Sequence, residues 1–249
     1  SRAWWNISMD QLDSACGTRS IRLANNHCTP AEMLLPMKAF LRNGNRARVL
    51  LLQVDHSSLT DEQDGFSSTV YDFVPFLEDT LVYAHLAPRG DEWFWLRHVP
   101  YWRYAKYDFK WGVEQAVLTA WGRRNVPFDA TGSYFSPNDR FYGKAGVPYA
   151  PSGHRMGADL RALFALCAQQ GIAVMPFTSP YYELEMPAEA IGAPARVLAA
   201  EGLRLIDYSD SLPEKRWFND NKHLNRKGGR RFTEMLARAL RNEGFCAQE

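Results

Sequence analysis

The chain has 249 residues, of which 46% are hydrophobic and 13% aromatic, and its formal net charge is +1. This length suits one α/β domain with an insertion and is ample for a large core. The balanced charge gives no electrostatic case for nucleic acid or an anionic membrane as a partner, and no run of about 18 apolar residues predicts a transmembrane helix.

The first predicted elements are short. Residues 2–8 are predicted as a buried strand that ends at Ser8, residues 9–16 as helical turns, and residues 20–25 as a second short strand. The sequence Thr29-Pro30-Ala31-Glu32 then favours a helix start, because Thr caps a helix, Pro suits its first position and Glu its third.

The clearest strand is predicted over residues 47–55. Its unbroken apolar run is typical of a parallel strand covered on both faces, and it places Asp55 and His56 at the carboxyl end. From about residue 59 to 151 the alternation of strand and helix breaks down. We interpret this segment as a mostly helical, aromatic-rich insertion that returns to the sheet, within one domain that spans residues 1–249.

The regular pattern resumes after the insertion. It predicts a helix at 159–170 with Cys167 in its apolar stripe, a strand at 172–178, a helix at 187–201, a strand at 203–207 and a helix at 226–241. Five short strands separated by helices predict an α/β fold with a parallel sheet and helices on both faces. In such sheets, functional sites form at the carboxyl ends of the strands.

An acid and a histidine stand three residues apart after the fifth predicted strand. Asp220 and His223 lie on the loop that enters the last helix. At this spacing the carboxylate can hold the imidazole in one tautomer, which a general base needs before it can take a proton from a nucleophile. We expect Asn225 to stabilise the turn that follows.

The pattern Asp220-x-x-His223-Leu224-Asn225-x-x-Gly228, between a short strand and a C-terminal helix, resembles the last sequence block of the SGNH (GDSL-like) hydrolases. It is most similar to the branch that contains cell-envelope polysaccharide O-acyl esterases and transferases. The resemblance implies a three-layer α/β/α sandwich with a five-stranded, flavodoxin-like parallel sheet. The catalytic residues that it implies are a serine, Asp220 and His223.

On this resemblance Ser8 stands at the position of the nucleophile, at the end of the first predicted strand. The residues around this serine differ from the family motif, because the family has Gly-Asp-Ser or Gly-x-Ser-Arg and this chain has Asn6-Ile7-Ser8. An alternative alignment makes residues 5–8 the second strand and places the nucleophile upstream or at Ser1-Arg2. Ser8 is preferred here, because that alignment keeps all five strands inside the chain.

The other expected site residues also follow from the resemblance. Cys28, or His27, stands where the family often has a glycine that donates an oxyanion N–H. Asp55 stands where the family commonly has an asparagine donor, but an ionised Asp only accepts hydrogen bonds and would repel an oxyanion. Either Asp55 has another role, such as positioning a loop or binding sugar hydroxyls, or backbone N–H groups near Ser8 and residues 27–28 hold the oxyanion, or the site is degenerate. We expect His56 to lie at the rim and Tyr181 to stack on sugar rings.

The first hypothesis is a serine esterase or O-acyltransferase that acts on acylated carbohydrate of the cell envelope, with no metal or organic cofactor required. The alternative is a catalytically inactive SGNH-like module that binds polysaccharide or an assembly partner. Two features favour this alternative: the presence of Asp55, and the poor match of Asn6-Ile7-Ser8 to the first sequence block of the family. A flavodoxin-like nucleotide binder is disfavoured, because no Gly-rich phosphate loop follows the first strand.

The resemblance further implies a periplasmic or other extracytoplasmic location. The chain begins at Ser1 without Met and shows no signal peptide, which is compatible with an upstream segment that targets it, anchors it to a membrane or binds envelope-assembly proteins. The four cysteines follow no metal-binding spacing. A Cys16–Cys28 disulfide is compatible with an oxidising compartment.

Overall fold

The computed structural model describes residues 2–23, 28–55, 59, 67–99, 102, 121, 140–144, 147–148, 156–185 and 192–247, to which all structural statements refer. The helices described are α1 (Arg2–Asn6), α2 (Met9–Cys16), α3 (Pro30–Arg42), α4 (Thr80–Leu86), α5 (Glu92–His98), α6 (Ala158–Gln169), α7 (Ala193–Ala200) and α8 (Arg226–Asn242). The strands are β1 (Val49–Gln53), β2 (Val147–Pro148), β3 (Ala173–Thr178), β4 (Leu184–Glu185) and β5 (Ile206–Asp207). Short 3₁₀ helices cover Ser68–Phe76, Ala87–Arg89 and Lys215–Trp217.

The fold is α/β with a small parallel sheet. Strands β1, β3 and β5 lie side by side in that order, with Leu51 opposite Met175 and Thr178 opposite Asp207. A second, two-stranded parallel sheet pairs β2 with β4. All three strands of the main sheet run in one direction, so their carboxyl ends share one edge.

Helices cover both faces of the main sheet because successive side chains of β3 point to opposite sides. Met175 and Phe177 pack against α2 and α8, in a cluster that includes Phe232 and Leu236. Residues on the other face pack with α3 and α6, in a cluster that includes Cys167. Cys167 is fully buried, as predicted, and burial raises the pKa of its thiol to about 11.

The prediction of a first strand at residues 2–8 is wrong, because residues Arg2–Asn6 form α1. The side chains of Arg2 and Asn6 both donate hydrogen bonds to the carbonyl of Lys222. In a helix, side chains four residues apart are neighbours. In a strand they would be about 13 Å apart and could not share one acceptor. A short apolar run with two tryptophans is compatible with the side-chain periodicity of a helix and with that of a strand.

The other predicted strands have different outcomes. Strands β1 and β3 confirm the predictions at 47–55 and 172–178, and β5 confirms the end of the predicted strand at 203–207. Residues 20–23 are not in a strand, and residues 24–25 lie outside the described part of the chain. Of the predicted insertion, the described parts include α4, α5 and the segment 140–144. The stretch 101–121 of the predicted insertion lies outside the described residues apart from Trp102 and Trp121.

A disulfide joins Cys16, the last residue of α2, to Cys246, just after α8. The expected pairing of Cys16 with Cys28 is therefore wrong. The reason is topological: α2 packs along α8, and the amide of Ala247 donates to the carbonyl of Cys16 at 2.7 Å. The bond closes a loop of 230 residues in sequence.

In the described part of the chain, no helix combines the length and apolarity needed to cross a bilayer.

The disulfide should contribute to stability mainly by restricting the unfolded chain. For a loop this long we expect the Cys16→Ala/Cys246→Ala variant to lose about 2–5 kcal/mol of unfolding free energy. Guanidinium unfolding followed by far-UV circular dichroism measures the loss, with Cys28→Ser as the control outside the disulfide. An unchanged unfolding midpoint in the double variant would contradict the pairing.

Candidate active site

The loop that carries Asp220 and His223 is closed at its base by backbone pairing. Phe218 and Leu224 form an antiparallel bridge, and both side chains are fully buried. Inside this base, the amide of Asn219 donates to the carbonyl of His223 at 2.8 Å. Backbone hydrogen bonds therefore close this short loop at its base.

Asn225 fixes the exit of the loop into α8. Its Oδ1 accepts from the amide of Gly228 at 3.0 Å, which caps the helix, and its Nδ2 donates to the carbonyl of Arg216 at 2.7 Å. These are contacts that stabilise the turn after His223. A Cβ on Gly228 would lie well inside contact distance of the carbonyl of Trp217. The glycine of the motif is therefore required by close packing.

The Asp220 carboxylate binds the His223 ring and the loop backbone together. Nδ1 of His223 lies 2.9 Å from Oδ2 and 3.1 Å from Oδ1 of Asp220. Oδ1 also accepts from the amides of Lys222 and His223, each at 2.8 Å. Because an ionised carboxylate only accepts, the proton lies on Nδ1, and Nε2 of the neutral ring is the proton acceptor.

Asp220 is held in its ionised form. Burial alone would raise the pKa of its carboxyl group, but hydrogen bonds from the His223 ring and from the two backbone amides outweigh burial and lower the pKa to about 2. The side chains of Asp220 and His223 are 21% and 27% exposed. The pair is therefore anchored on its inner side and partly open to solvent.

Helix α1 contacts the peptide groups on both sides of His223. Arg2 Nε and Asn6 Nδ2 donate to the carbonyl of Lys222 at 3.1 and 3.4 Å. Asn6 Oδ1 accepts from the amide of Leu224 at 2.9 Å. Arg2 is 3% exposed and Asn6 is fully buried. The sequence interpretation missed both residues because it placed them in a strand.

Asp55 pairs with Arg2 instead of facing an open site. Arg2 Nη1 lies 2.5 Å from Asp55 Oδ1, and Gln53 Nε2 donates to the same oxygen at 2.7 Å. The carboxylate charge is thus compensated at the end of β1. These contacts agree with the expectation that Asp55 positions neighbouring segments.

Ser8 lies against α8. Its amide donates to Thr233 Oγ1 at 2.9 Å, and its Oγ caps α2 by accepting from the amide of Gln11 at 3.4 Å. The residue is 6% exposed. Because residues 2–6 form a helix, Ser8 does not follow a strand, and the geometric reason for placing the nucleophile there is lost. Its assignment as nucleophile stays a prediction.

The remaining predicted site residues are Cys28, His56 and Tyr181. Cys28 lies two residues before the start of α3, and its Sγ–H donates to the carbonyl of Thr29 at 3.7 Å. His56 lies outside the described residues. Tyr181 is 7% exposed, and the Arg2 guanidinium lies 3.7 Å from its ring centroid. Within the described part, this ring therefore stacks on Arg2.

Asn221, which the sequence interpretation passed over, ties the end of the insertion to the loop. Its side chain donates to the carbonyls of Lys144 and Tyr182 at 2.7 and 2.8 Å and accepts from the amide of Lys144 at 3.1 Å. The amide of Tyr142 also donates to the carbonyl of Asn219 at 2.7 Å. The segment 140–144 is thereby bound along the edge of the Asp220–His223 loop.

Tyr142 brings a solvent-exposed aromatic ring to this edge. It is 66% exposed. Partial burial, the charge of Asp220 and a hydrogen bond with Asp220 together raise the pKa of its phenol. The phenol therefore stays protonated at neutral pH and can donate to the carboxylate, while the ring faces solvent beside the acid–histidine pair.

Comparison of the chain with protein-family models, with curated proteins and with solved structures finds no match. The chemical role of the site is inferred below from its geometry and from the resemblance of its motif.

The lowered pKa of Asp220 predicts a specific loss of stability in acid. The folded-state value of about 2 lies below the ordinary value of 3.8, so ionised Asp220 stabilises the folded chain above about pH 4. This contribution is lost as the pH falls through about 2. Over that interval, wild type should lose about 2 kcal/mol more unfolding free energy than Asp220→Asn.

Urea unfolding at a series of pH values measures this difference. Asp210→Asn, which removes an exposed carboxylate elsewhere, is the matched control and should keep the acid sensitivity of wild type. If the free energy of unfolding depended on pH in the same way in wild type and in Asp220→Asn, the described hydrogen bonds would be contradicted.

Proposed function

We propose that the chain is a serine esterase or O-acyltransferase of the SGNH type that acts on acylated carbohydrate of the cell envelope. The observation that carries this proposal is the Asp220–His223 pair. Its carboxylate holds Nδ1 and leaves Nε2 as a proton acceptor. The pair is partly exposed, as a general base must be to meet a substrate.

In the proposed reaction, His223 Nε2 takes the proton of a serine hydroxyl while the serine Oγ attacks the ester carbonyl. Collapse of the tetrahedral intermediate breaks the bond to the leaving alcohol, which receives the proton from His223. Water, or a sugar hydroxyl in a transferase, then attacks the acyl carbon with His223 again as base. Collapse of this second intermediate breaks the bond to the serine Oγ, which takes the proton back from His223 as the acid or the new ester leaves. Asp220 stays ionised and stabilises the imidazolium that forms in each step.

The strand order of the main sheet supports the proposed three-layer α/β/α fold with a five-stranded sheet. In the five-stranded SGNH sheet that we propose, β1, β3 and β5 correspond to the third, fourth and fifth strands. They are adjacent in that order. The Asp220–His223 loop follows the last of them, and helices pack on both faces. We therefore keep the three-layer α/β/α arrangement as part of the proposal.

Two serines compete as the nucleophile. Ser8 has the contacts of a buried helix cap. Ser1 lies outside the described residues, but it directly precedes Arg2, whose guanidinium contacts the carbonyl of Lys222 next to His223. The contacts of Arg2 favour Ser1 over Ser8 as the nucleophile. The strand that the alternative alignment places at residues 5–8 is wrong, because Arg2–Asn6 form α1, so only its choice of Ser1 is kept in the proposal.

The oxyanion site is assigned to backbone amides. Asp55 is engaged with Arg2 and Gln53 and, as an acceptor, would oppose a developing negative charge. Amides near the nucleophile and near Cys28 remain the proposed donors. For the carbohydrate substrate, the exposed ring of Tyr142 beside Asp220 offers a stacking surface.

The Cys16–Cys246 disulfide supports the proposed extracytoplasmic location, because disulfides persist in oxidising compartments. Envelope-assembly proteins remain the proposed partners. The second candidate function, an inactive module that binds polysaccharide, is favoured by the burial of Ser8.

Reaction with a fluorophosphonate probe separates an esterase from a binding module. We expect the wild-type chain to be labelled, and His223→Ala and Asp220→Asn to slow labelling and p-nitrophenyl acetate hydrolysis by about 10²- to 10⁴-fold. The physical reason is that the base is lost in the first variant and its orienting carboxylate in the second. His98→Ala, an exposed histidine on α5, is the control and should react like wild type.

Ser1→Ala and Ser8→Ala identify the nucleophile in the same assay, because only one of them should abolish labelling. We expect that variant to be Ser1→Ala. Absence of labelling in the wild-type chain, with the fold intact, would reject the esterase and leave the binding module.

A further inference from the structure

The two peptide groups joined to the Cα of His223 are both bound by α1. The carbonyl of Lys222 belongs to the peptide before His223 and accepts from Arg2 and Asn6. The amide of Leu224 belongs to the peptide after His223 and donates to Asn6. Because peptide groups are planar, fixing both of them fixes the backbone angles of His223 and the direction of its Cβ.

These contacts lie in the protein interior. Asn6 and Leu224 are fully buried and Arg2 is 3% exposed. Buried polar groups must be paired, and breaking one pair leaves the other partner unsatisfied. The hydrogen bond between Asn6 and the Leu224 amide is buried and the two to the carbonyl of Lys222 are partly buried, which limits competition from water and holds the loop in one arrangement.

Helix α1 is in turn tied to the carboxyl edge of the sheet. Arg2 pairs with Asp55 at the end of β1 and donates to the carbonyls of Ser179 and Pro180 after β3. Its guanidinium also stacks on Tyr181. One side chain thus connects two strand ends to the peptide that precedes His223.

Asn6 makes a second, independent connection. Its Nδ2 donates to Ser179 Oγ at 3.2 Å, and that hydroxyl donates to Gln53 Oε1 at 3.0 Å. The last residue of β1 is therefore linked through two side chains to the backbone of the loop. Asp220 sets the orientation and tautomer of the ring, whereas α1 sets where the residue stands.

We infer that Arg2 and Asn6 are positioning residues for the general base, and that α1 places the His223 imidazole relative to the sheet edge. This inference rests on the proposed function for its catalytic consequence, but the positioning itself is a property of the folded chain. The described hydrogen bonds from Arg2 and Asn6 go to the backbone on either side of His223, so we assign their effect to the backbone.

The test uses two near-isosteric variants. Asn6→Asp keeps the acceptor for the Leu224 amide and replaces the donor to Lys222 with an oxygen. Arg2→Lys keeps a positive charge for Asp55 but removes the planar fork that reaches several carbonyls at once. Glu32→Gln is the matched control, because Glu32 is also buried, at 1% exposed, and lies on α3 away from the loop.

We expect kcat for p-nitrophenyl acetate to fall about 10²-fold in both variants with KM nearly unchanged, since displacing a catalytic group by about 1 Å costs this much. Glu32→Gln should keep the wild-type kcat. A kcat loss in Glu32→Gln equal to that in Asn6→Asp and Arg2→Lys would overturn the inference, because the effect would then be general destabilisation.

Two further readouts need no catalysis and separate this inference from the esterase proposal. Hydrogen exchange of the Leu224 amide should be slow in wild type and in Glu32→Gln and much faster in Asn6→Ala. Nitrogen-15 NMR should show the Nδ1-protonated tautomer of the His223 ring in wild type and in both variants, because Asp220 is kept, whereas the backbone amide resonances of His223 and Leu224 should shift in Asn6→Asp and Arg2→Lys and not in Glu32→Gln. Rapid Leu224 exchange in wild type, or His223 and Leu224 amide resonances unchanged by both substitutions, would overturn the positioning role even if the chain proves to be an esterase.

Discussion

The site depends on the hydrogen bond between an ionised carboxylate and an imidazole that are three residues apart. Asp220 can serve His223 only because the loop between them is folded so that the same carboxylate also accepts two backbone amides. Burial alone would raise the pKa of Asp220, but the hydrogen bond from the His223 ring and those two amides lower it, and the ionised carboxylate then fixes the proton on Nδ1. Protonation state, tautomer and loop shape are therefore one coupled arrangement.

Next to the Asp220–His223 loop, Arg2 and Asp55 compensate each other's charge at the edge of the sheet. A buried guanidinium is tolerated only when its donors are satisfied, and Arg2 meets this condition with Asp55, strand-end carbonyls and the carbonyl of Lys222. Asp55, which would oppose an oxyanion if it were open to the site, is thereby neutralised. The edge of the sheet consequently joins the first helix, two strand ends and the loop before α8 into one polar network.

Local features of the sequence predicted the parts of this site that depend on local geometry. The spacing of Asp220 and His223 sufficed to predict their pairing, and the apolar runs sufficed for β1 and β3. The first helix escaped prediction because five residues with two tryptophans fit a strand or a helix, and only the shared acceptor at Lys222 distinguishes them. The partner of Cys16 could not be deduced either, because α2 and α8 are adjacent in space and about 230 residues apart in sequence.

The most direct test of the account is a crystal structure of the chain after reaction with a fluorophosphonate. The account predicts phosphorus bonded to a serine Oγ, with His223 Nε2 at about 3 Å from that oxygen, Asp220 on Nδ1, and α1 bound to the peptides on either side of His223. An imidazole turned away from the sheet edge, or an adduct on a residue far from His223, would contradict it.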